Sequence, residues 1–495
     1  MNRLLLYIVV GMVVAITSSC SKLPPSNEIW YTTTDGEPIP IYYGDKFDAT
    51  VVSNTYRFGQ GVIRFDKKVT KIKSFAFGDE ETLRSLTIPD SITDIEGGAV
   101  SGCESLMAFY GKYASPDSRC LIADGNLVAF APFGLSEYTI PENVAKIDNR
   151  AFYRSNGALE AFYGKYASSD NRSLIVDGEL VAFASCGLAE YTIPDEVTKI
   201  GKLAFSECKK ITSVSIPDSV TEICTGAFWR CELLGNVTIG KNLKKIGPGA
   251  FEDCYGLRNV EIPSSVTEIG NGAFSGCCQL RNIDIPWGVL EIPQEAFRGC
   301  RELRDIHIPS CIKKIGNQAF AGCSRLTNIE IPYSVIEIGW GAFSGCLRLE
   351  KVLIGMGVTK INSRTFDECK RLKDIEIGLN VTSIGDHAFA YCESLNIVNI
   401  PTNVTEIGEY AFYNCKGLHY LIIGKGVKTI GEKAFWRWSA NHKMYVFCTP
   451  ITPPKGAERL FDAINTIYVP YNSVEMYKSA EYWSDYGYYI KGDDI

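Results

Sequence analysis

The chain has 495 residues, of which 46% are apolar and 22% are charged, as in a folded protein rather than a disordered one. The formal net charge of -7 leaves no basic footprint, which argues against nucleic acid and anionic membrane surface as partners. The chain is longer than a single globular core usually supports. A repeat array can nevertheless form one continuous domain of this length, because each added unit extends its core.

The first twenty residues have the pattern of an export signal. Asn2 and Arg3 precede an apolar run at 4–16. This run is too short for a spanning helix and fits the apolar centre of a signal peptide. Small residues ending in Ser19 lead directly to Cys20, as in a bacterial lipobox, whose cysteine is acylated. We therefore predict lipidation at Cys20; the alternative is an ordinary signal peptide in which Cys20 is incidental.

Residues 28–64 are rich in aromatic side chains and contain the turn signal Asp35-Gly36, but they do not fit the repeat that follows. The first coil of a repeat array would otherwise expose its apolar end. This segment is therefore interpreted as an N-terminal cap.

The repeat begins at Phe65 and is then lengthened by two insertions, at about 107–139 and 160–192. Both insertions contain the sequence Ala-Phe-Tyr-Gly-Lys-Tyr-Ala, followed by an Asp-Gly turn signal at Asp124-Gly125 and at Asp177-Gly178. Short apolar runs flank each turn signal. This pattern predicts a β-hairpin that replaces or extends one coil.

From residue 193 onward the same pattern returns every 23 residues. One column of branched apolar residues comprises Ile193, Ile216, Ile239, Ile262, Ile285, Ile308, Ile331, Ile354, Ile377, Ile400, Ile423, Val446 and Val469. A phenylalanine column comprises Phe205, Phe228, Phe251, Phe274, Phe297, Phe320, Phe343, Phe366, Phe389, Phe412 and Phe435. A cysteine column comprises Cys208, Cys231, Cys254, Cys277, Cys300, Cys323, Cys346, Cys369, Cys392 and Cys415. A fixed short period predicts a solenoid, in which each unit buries its apolar face against its neighbours.

One coil can be followed over residues 257–277. Val260 is an inward position of a first strand, which Pro263 ends because proline has no amide donor. A second short strand follows and turns at Gly270, where the glycine is expected for the turn that each coil needs. Phe274 and Cys277 lie one helical turn apart, which predicts a short helical or 3₁₀ piece.

The pattern I/V-P-x-x-V-T-x-I-G-x-x-A-F-x-x-C-x-x-L-x-x-V-x-I over 262–285 resembles the BspA-type leucine-rich repeat of bacterial surface lipoproteins. The match covers residues 65 to about 440 and weakens at Val100 in the phenylalanine column and at Trp438, where the cysteine column ends. The resemblance implies display at the cell surface and binding of proteins or other cells, including host components. It carries over no catalytic residues.

The predicted fold class is a solenoid: a leucine-rich-repeat-like stack of 23-residue coils with a parallel β-sheet, short helical or 3₁₀ turns, two inserted hairpins and terminal caps. The predicted domains are a lipoprotein-type signal peptide at 1–20, a linker at 21–27, an N-terminal cap at 28–64, the solenoid at 65–440 and a C-terminal cap at 441–495.

The cysteine column is the sharpest candidate for chemistry. Neighbours about 4.8 Å apart lie within the Cα range of a disulfide, and exported compartments permit oxidation. The preferred interpretation is a column of small buried thiols. Metal binding needs clustered ligands, which neither a straight column nor the four histidines provide. We predict no metal site and no cofactor.

The candidate binding face lies between the buried strand positions. Its members are Arg258, Arg281 and Arg304 in one row and Glu261, Asp284, His307, Glu330 and Glu376 in another. Like charges one strand apart are unfavourable, so stability alone does not select these rows. Lateral pairing between arginine and acid is the alternative. The column on the opposite strand alternates in sign more evenly, as in ordinary surface salt pairing. It comprises Glu222, Lys245, Glu268, Glu291, Lys314, Glu337 and Lys360.

The predicted function is that of an exported, lipid-anchored protein of the outer membrane or cell surface, without enzymatic activity, which binds a protein or cell-surface macromolecule through its extended sheet. The alternatives are polysaccharide capture, with Tyr110, Tyr113, Tyr163 and Tyr166 as stacking candidates, and a passive surface spacer. Its only predicted membrane contact is the lipid anchor, and no nucleic acid is expected as a partner.

Overall fold

The structure, a computed structural model, describes residues 23–41, 45–153, 159–437 and 443–495. The predicted signal peptide with Cys20, and also Trp438 and His442, lie outside the described residues. The chain divides into two units. One is Met1–Asp177 with Val181–Cys186, and the other is Gly178–Leu180 with Gly187–Ile495.

The first unit begins with antiparallel strands. Glu28–Thr33 and Val51–Arg57 both pair with Gln60–Phe65. The other edge of Glu28–Thr33 pairs antiparallel with Leu83–Thr87, which in turn pairs in parallel with Ala108–Tyr110. The segment predicted as a cap thus covers the edge strand with which the parallel stack begins, so that this edge is not left open.

The remaining strands of the first unit are short and mostly parallel. They are Lys71–Ile72, Asp94–Ile95, Cys120–Ala123, Asn126–Phe130, Glu137–Thr139, Lys146–Ile147, Ala161–Tyr163 and Ser173–Val176, and Glu179–Phe183 contains the boundary between the units. Two buried clusters form its core, one around Phe65, Phe77 and Phe109 and one around Phe130 and Phe162.

The first insertion forms the predicted hairpin. Cys120–Ala123 and Asn126–Phe130 are antiparallel, and the turn between them has the positive φ angles of 48° at Asp124 and 75° at Gly125. Asn126–Phe130 also pairs in parallel with Lys146–Ile147. The second strand of the hairpin therefore takes the place of one coil's short strand. Asp177 and Gly178 in the second insertion have the same left-handed angles, 50° and 78°.

The second unit stacks its coils into two rows of parallel strands. The row that we call the long-strand sheet comprises Glu190–Thr192, Ser213–Ile216, Asn236–Ile239, Asn259–Val260, Asn328–Ile331, Lys351–Ile354, Asp374–Glu376, Ile397–Ile400, Tyr420–Ile423, Met444–Cys448, Ile464–Pro470 and Ile490–Asp493. The short-strand sheet comprises Lys199–Ile200, Glu222–Ile223, Lys245–Ile246, Glu268–Ile269, Glu291–Ile292, Lys314–Ile315, Glu337–Ile338, Lys360–Ile361, Ser383–Ile384, Glu406–Ile407 and Thr429–Ile430. Residues of equal repeat position face each other across neighbouring strands, as in Ile216 and Ile239.

The third side of each coil consists of turns, and in the described coils it contains no helix. The amide of Cys277 donates to the carbonyl of Phe274 at 3.2 Å, which is the predicted one-turn spacing. Positive φ angles at Gly272 and Gly276, 62° and 74°, prevent the turns from continuing as a helix. The amide of Phe274 instead donates to the carbonyl of Ala296 in the next coil. Hydrogen bonds between coils therefore replace the helical ones.

Glycine closes the short strand for a reason that differs from the predicted one. At Gly270 and Gly316 the φ angle is not in the left-handed region. A Cβ at Gly270 would lie 2.3 Å from the nitrogen of Pro248, and one at Gly316 would lie 2.4 Å from the nitrogen of Gln294. Glycine is needed at these positions because the backbones of adjacent coils approach too closely for any side chain.

The cysteine column consists of buried thiols, as the preferred interpretation predicted. Every described cysteine is free. From Cys231 to Cys415 each Sγ donates to the carbonyl oxygen of a phenylalanine in the preceding coil, at 3.0–3.3 Å. Burial raises the pKa of these thiols, that of Cys346 to about 12. The column therefore holds coils together as neutral hydrogen-bond donors, which are poor nucleophiles.

The repeat period slips near the C-terminal end. Ile423 pairs with Cys448, whereas Val446 pairs with Leu421, so Val446 does not belong to the apolar column predicted for it. The next strand pair, Val446 with Ile467, compensates for the slip. Equal spacing in the sequence failed here because the extra residues lie in the connection between the strands.

The C-terminal segment contains an α-helix, Val474–Ser479, between the 3₁₀ helices Tyr471–Ser473 and Ser484–Tyr489. The strand Ile490–Asp493 follows these helices. Trp483 is fully buried, and its indole nitrogen donates to the carbonyl of Pro454 at 2.8 Å. Tyr477 is also buried, and its hydroxyl donates to the carbonyl of Pro450 at 2.8 Å. These contacts fix the aromatic tail over the last coils.

Candidate functional site

The residues predicted to form a binding face all lie exposed on the outward side of the long-strand sheet. We call this surface the charged face, and its members are Arg258, Arg281, Arg304, Glu261, Asp284, His307, Glu330 and Glu376. All but Glu376 belong to four consecutive coils. They form two rows that run along the stack, one of arginines and one mainly of acids.

The backbone hydrogen bonds along the arginine row vary in length. The amide of Arg281 donates to the carbonyl of Arg258 at 3.1 Å, and that of Arg304 to Arg281 at 3.4 Å. Equivalent bonds that join no arginine pair span the same range, from 2.7 Å for Glu350 to Thr327 to 3.3 Å for Arg258 to Gly235. Stacked arginines, which repel one another, are therefore accommodated without a consistent change in these bonds.

The ladder of the long-strand sheet is interrupted at the same place. A single bridge joins Asn259 to Asn282, and between Asn282 and Asn328 this side of the described chain contains no strand. Ile306, at an inward position, is only partly buried, whereas its counterparts Ile283 and Ile329 are 4% and 3% exposed. The charged face therefore lies over the most weakly paired stretch of the sheet.

The side chains of the charged face do not neutralise one another. Among the described residues, none of its eight members has an ion-pair partner within 4.0 Å. Arg258 donates from Nε to the amide oxygen of Gln279 at 3.1 Å, which leaves its charge uncompensated. Lateral arginine–acid pairing, the alternative explanation of the rows, is absent from the described coils.

On the short-strand sheet, charges on neighbouring strands form salt bridges. Lys245 pairs with Glu268 at 2.9 Å, and Lys314 pairs with Glu337 at 3.3 Å. These charges alternate in sign between most coils, as the sequence predicted, but Glu268 is followed by Glu291, and the short-strand ladder is interrupted between these two strands. The spacing between coils therefore permits cross-strand salt bridges, but the composition of the charged face prevents them.

Glu376 lies in a depression at a second interruption of the long-strand sheet, between Asp374–Glu376 and Ile397–Ile400. The depression has a volume of about 650 Å³ and is open to solvent. Its lining includes Lys351, the carboxylate of Asp374 and the apolar side chains of Ile375 and Ile397. It therefore presents both charged and apolar residues to solvent.

Beyond this depression the outward face becomes apolar and aromatic. We call this region the aromatic strip, and its members are Ile397, Tyr420, Tyr445, Phe447 and Tyr468. The rings of Tyr420 and Tyr445 stack with centroids 5.6 Å apart, and those of Phe447 and Tyr468 at 5.0 Å. The sequence period missed the last three members because it does not include the slip before Tyr445. A 23-residue step from Tyr420 points to Lys443 instead.

The tyrosines of the insertions divide into two kinds. Tyr113 and Tyr166 are each 9% exposed, and their hydroxyls donate to the backbone carbonyls of Ile92 and Ala145 at 3.1 and 2.9 Å. They are structural and cannot stack on a sugar. Tyr110 and Tyr163 remain exposed, so only half of the predicted stacking residues are accessible.

The described histidines, His307, His387 and His419, occupy different repeat positions. His387 stacks on Tyr410 with centroids 4.9 Å apart, and burial together with nearby Arg364 lowers its pKa. His307 is exposed on the charged face. In residues 23–41, 45–153, 159–437 and 443–495, no group of three or more His, Cys, Asp or Glu side chains is arranged to hold a metal ion.

Asp367 is a buried acid on the turn side of its coil, where its Oδ1 has no hydrogen-bond partner. Burial raises its pKa to about 6, although Arg364 lies 3.9 Å away. A perturbed acid can indicate a catalytic site, but this one lies away from the charged face and the depression. We interpret it as a position that costs stability when charged.

Replacing Asp367 by asparagine should stabilise the protein at neutral pH by about 1–3 kcal/mol. The native state holds the proton more tightly than the unfolded state, so the stability of the unmodified protein falls as pH rises from about 4 to about 6. Urea unfolding from pH 4 to 8 would reveal the gain of the variant growing over that window. Glu368→Gln, next in the chain and exposed, is the control and should show no such window.

The family of the chain follows from the repeat. The sequence profile described as BspA type leucine rich repeat region (6 copies) matches residues 60–159, 179–304, 290–419 and 359–452, which is more than half of the chain. The chain belongs to the BspA-type leucine-rich-repeat family. The resemblance inferred from the repeat pattern is thereby confirmed, and the family consists of bacterial surface proteins. No curated protein matches the chain.

Several solved leucine-rich-repeat structures are similar to this chain. A leucine rich cell surface protein from Faecalibacterium prausnitzii is 29% identical, covers 54% of this chain and 90% of its own, and has a TM-score of 0.37. A leucine-rich repeat protein from Bacteroides ovatus is 24% identical, with 66% and 97% covered and a TM-score of 0.37. The pneumococcal vaccine antigen PcpA is 19% identical, with 61% and 87% covered and a TM-score of 0.40.

For this BspA-type protein, the lipid attachment predicted from the sequence stays a prediction. Cys20 lies outside the described residues. Within the described ranges no helix is long and apolar enough to cross a bilayer.

Proposed function

We propose that this BspA-type protein is a non-enzymatic protein of the bacterial surface, anchored by a lipid at Cys20, that binds another macromolecule through the charged face. A protein is the partner that this chemistry favours, because guanidinium and carboxylate rows suit side chains of opposite charge. The continuous sheet of a repeat protein offers a long surface for such contacts. Adhesion, including attachment to host components, is the role that a surface protein of this kind would perform.

The observation that carries the proposal is the unpaired state of the two rows. On the short-strand sheet the same chain alternates most of its charges and forms salt bridges, such as Lys245 with Glu268. On the charged face the arginines stack on one another without ion pairs, and the ladder opens around Ile306. An arrangement that weakens the fold without internal compensation is typical of a surface that serves binding.

The absence of enzymatic activity is part of the same proposal. The reactive side chains of the repeats are accounted for by packing: the thiols from Cys231 to Cys415 donate to backbone carbonyls, and Asp367 stands apart from the depression. Only two exposed insertion tyrosines, Tyr110 and Tyr163, remain to support polysaccharide capture. Polysaccharide capture therefore has less support than protein binding.

Reversing the arginine row, in the triple variant Arg258→Glu, Arg281→Glu and Arg304→Glu, should weaken retention of a protein partner at least about tenfold. Like charges would then meet the side chains that the arginines attract. The measurement is retention of solubilised cell-surface proteins on the immobilised full chain between 50 and 500 mM NaCl. Salt should release from the unmodified protein what the variant fails to hold.

A matched control reverses three lysines of the short-strand sheet, Lys245→Glu, Lys314→Glu and Lys360→Glu, and so changes the net charge equally. It should retain the same proteins as the unmodified chain. Equal losses in both variants, or no loss in the arginine variant, would contradict binding through the charged face.

A further inference from the structure

The charged face has an internal symmetry that neither the repeat nor the ion pairs explain. Its arginine row and its acid row run in parallel along the stack, with a middle row of mostly neutral amides between them. The middle row comprises Asn259, Asn282, Asp305 and Asn328. In the first two coils the arginine and the acid stand three residues apart, a separation of about 10 Å along an extended chain. The third coil has His307 in the acid row, and the fourth has Thr327 in the arginine row.

Such a surface is complementary to itself. We propose that the charged face binds the charged face of a second copy of this chain, through a two-fold axis that runs along the stack above the middle row. This axis exchanges the two rows, so that Arg258 meets Glu261 of the second copy and Arg281 meets Asp284. Every contact occurs twice, as in an isologous dimer. The inference deepens the proposed function and rests on it, since it names the partner of the same surface.

The alternative axis is unfavourable. A two-fold axis parallel to the strands would bring each row onto itself and place arginine against arginine, which is repulsive. The charges therefore select one relative direction, in which the two chains lie side by side with their coils in the same order.

The third coil contributes least to this pairing. His307 stands where the third acid is expected, opposite Arg304 of the second copy. Asp305 lies in the middle row of the same coil, next to Arg304, and would face its own copy across the axis. The attraction between the charged faces therefore comes from the first two coils, where Arg258 and Arg281 each face a carboxylate.

The same axis also brings the aromatic strip together. Ile397, Tyr420 and Tyr445 continue the middle row, and Ile397 and Tyr420 are 52% and 43% exposed. Across the axis each of them would face its own copy, which removes apolar surface from water. Lys351 and Asp374 lie in the same row one coil apart and would each face their own copy, so these two coils add no attraction to the interface.

The size of the face sets the expected strength. Nine coils at about 4.8 Å, with about 10 Å across, give roughly 400 Å² of projected area per chain, below the about 800 Å² of a standard stable interface. The dimer should therefore be weak, with a dissociation constant in the micromolar range, and sensitive to salt.

The test exchanges the charges of the two rows. The acidic variant carries Arg258→Glu, Arg281→Glu and Arg304→Glu, and the basic variant carries Glu261→Arg, Asp284→Arg and Glu330→Arg. The mass of the full chain in detergent is measured by light scattering from 1 to 200 μM. We expect the unmodified chain to dimerise and each variant alone to do so at least about 100-fold more weakly. A mixture of the two variants should restore the dimer, because positions 258 and 281 of each variant again face opposite charges at positions 261 and 284 of the other.

The lysine-reversed control of the short-strand sheet keeps the charged face intact and should dimerise like the unmodified chain. Self-association that survives in either variant alone, or a mixture that stays monomeric, would overturn the proposed axis. A monomeric unmodified chain that still retains foreign proteins through its arginines would end the dimer inference and leave the proposed function standing. A chain that does neither would end both.

Discussion

Replacing Phe320 by alanine should lower the free energy of unfolding by about 3–5 kcal/mol. Phe320 is fully buried, and its ring stacks between those of Phe297 and Phe343 with centroids 5.4 and 5.3 Å away. The rings are nearly parallel because each occupies the same repeat position in the same orientation. Parallel stacking adds little beyond burial, so the expected loss comes from removed apolar area and the cavity left behind.

The loss should be local before it is global. Each coil touches only its neighbours, so a cavity at Phe320 weakens the interfaces on both sides and lets the array open there first. Urea unfolding gives the magnitude, and amide hydrogen exchange shows whether protection falls at the amides of Phe297 and Phe320, which donate to the next coil.

Tyr333→Ala is the control for this substitution. Tyr333 is 74% exposed, and its truncation should change stability by less than about 0.5 kcal/mol. If Phe320→Ala unfolded at the same urea concentration as this control, the stacked column would not be the core of the array.

Replacing Arg437 by methionine should destabilise the protein by about 3–5 kcal/mol. The side chain of Arg437 is fully buried. Its Nε donates to Oδ1 of Asp462 at 3.2 Å, Nη1 donates to the carbonyl of Leu418 at 2.6 Å, and Nη2 donates to that of Ala463 at 3.1 Å. Methionine fills the space but leaves a buried carboxylate and two carbonyls without these donors.

The double variant Arg437→Met with Asp462→Asn should recover part of the loss, because it removes the uncompensated charge while the amide oxygen still accepts from the backbone nitrogen of residue 437. Thermal unfolding of the four members of this cycle measures the coupling. Lys478→Met removes an ion pair with Glu475 that is exposed, and it should cost less than about 1 kcal/mol. Similar losses for Arg437 and Lys478 would show that the buried cluster does not hold the C-terminal coils.

Much of this fold could be predicted because the 23-residue period indicates which residues occupy the same position in successive coils. Residues at equal positions, such as Phe297 and Phe320, must lie above one another once the coils stack, and the family follows from the same pattern. The first hairpin was also predictable, since Asp124-Gly125 adopts the left-handed angles that its turn requires.

The candidate site was predictable only as a set of exposed positions. The outward placement of Glu261 and its counterparts follows from the alternation of a strand, because they lie between buried positions such as Val260 and Ile262. Whether the rows pair laterally could not be read from the sequence, because that depends on distances of a few ångströms between side chains. The depression near Glu376 and the stacked rings beyond it also depend on where the strands stop pairing and on the slip before Tyr445.

The sequence by itself determined the period, the buried columns, the family and the charge of each row. Only the tertiary structure decided that the third side is built of turns, that Gly270 is required by the approach of the preceding coil, and that the arginines remain unpaired. The physical reason is that a period records equivalence along the chain. Hydrogen-bond lengths, close approaches and ion pairs arise between coils, where neighbouring residues are set by packing.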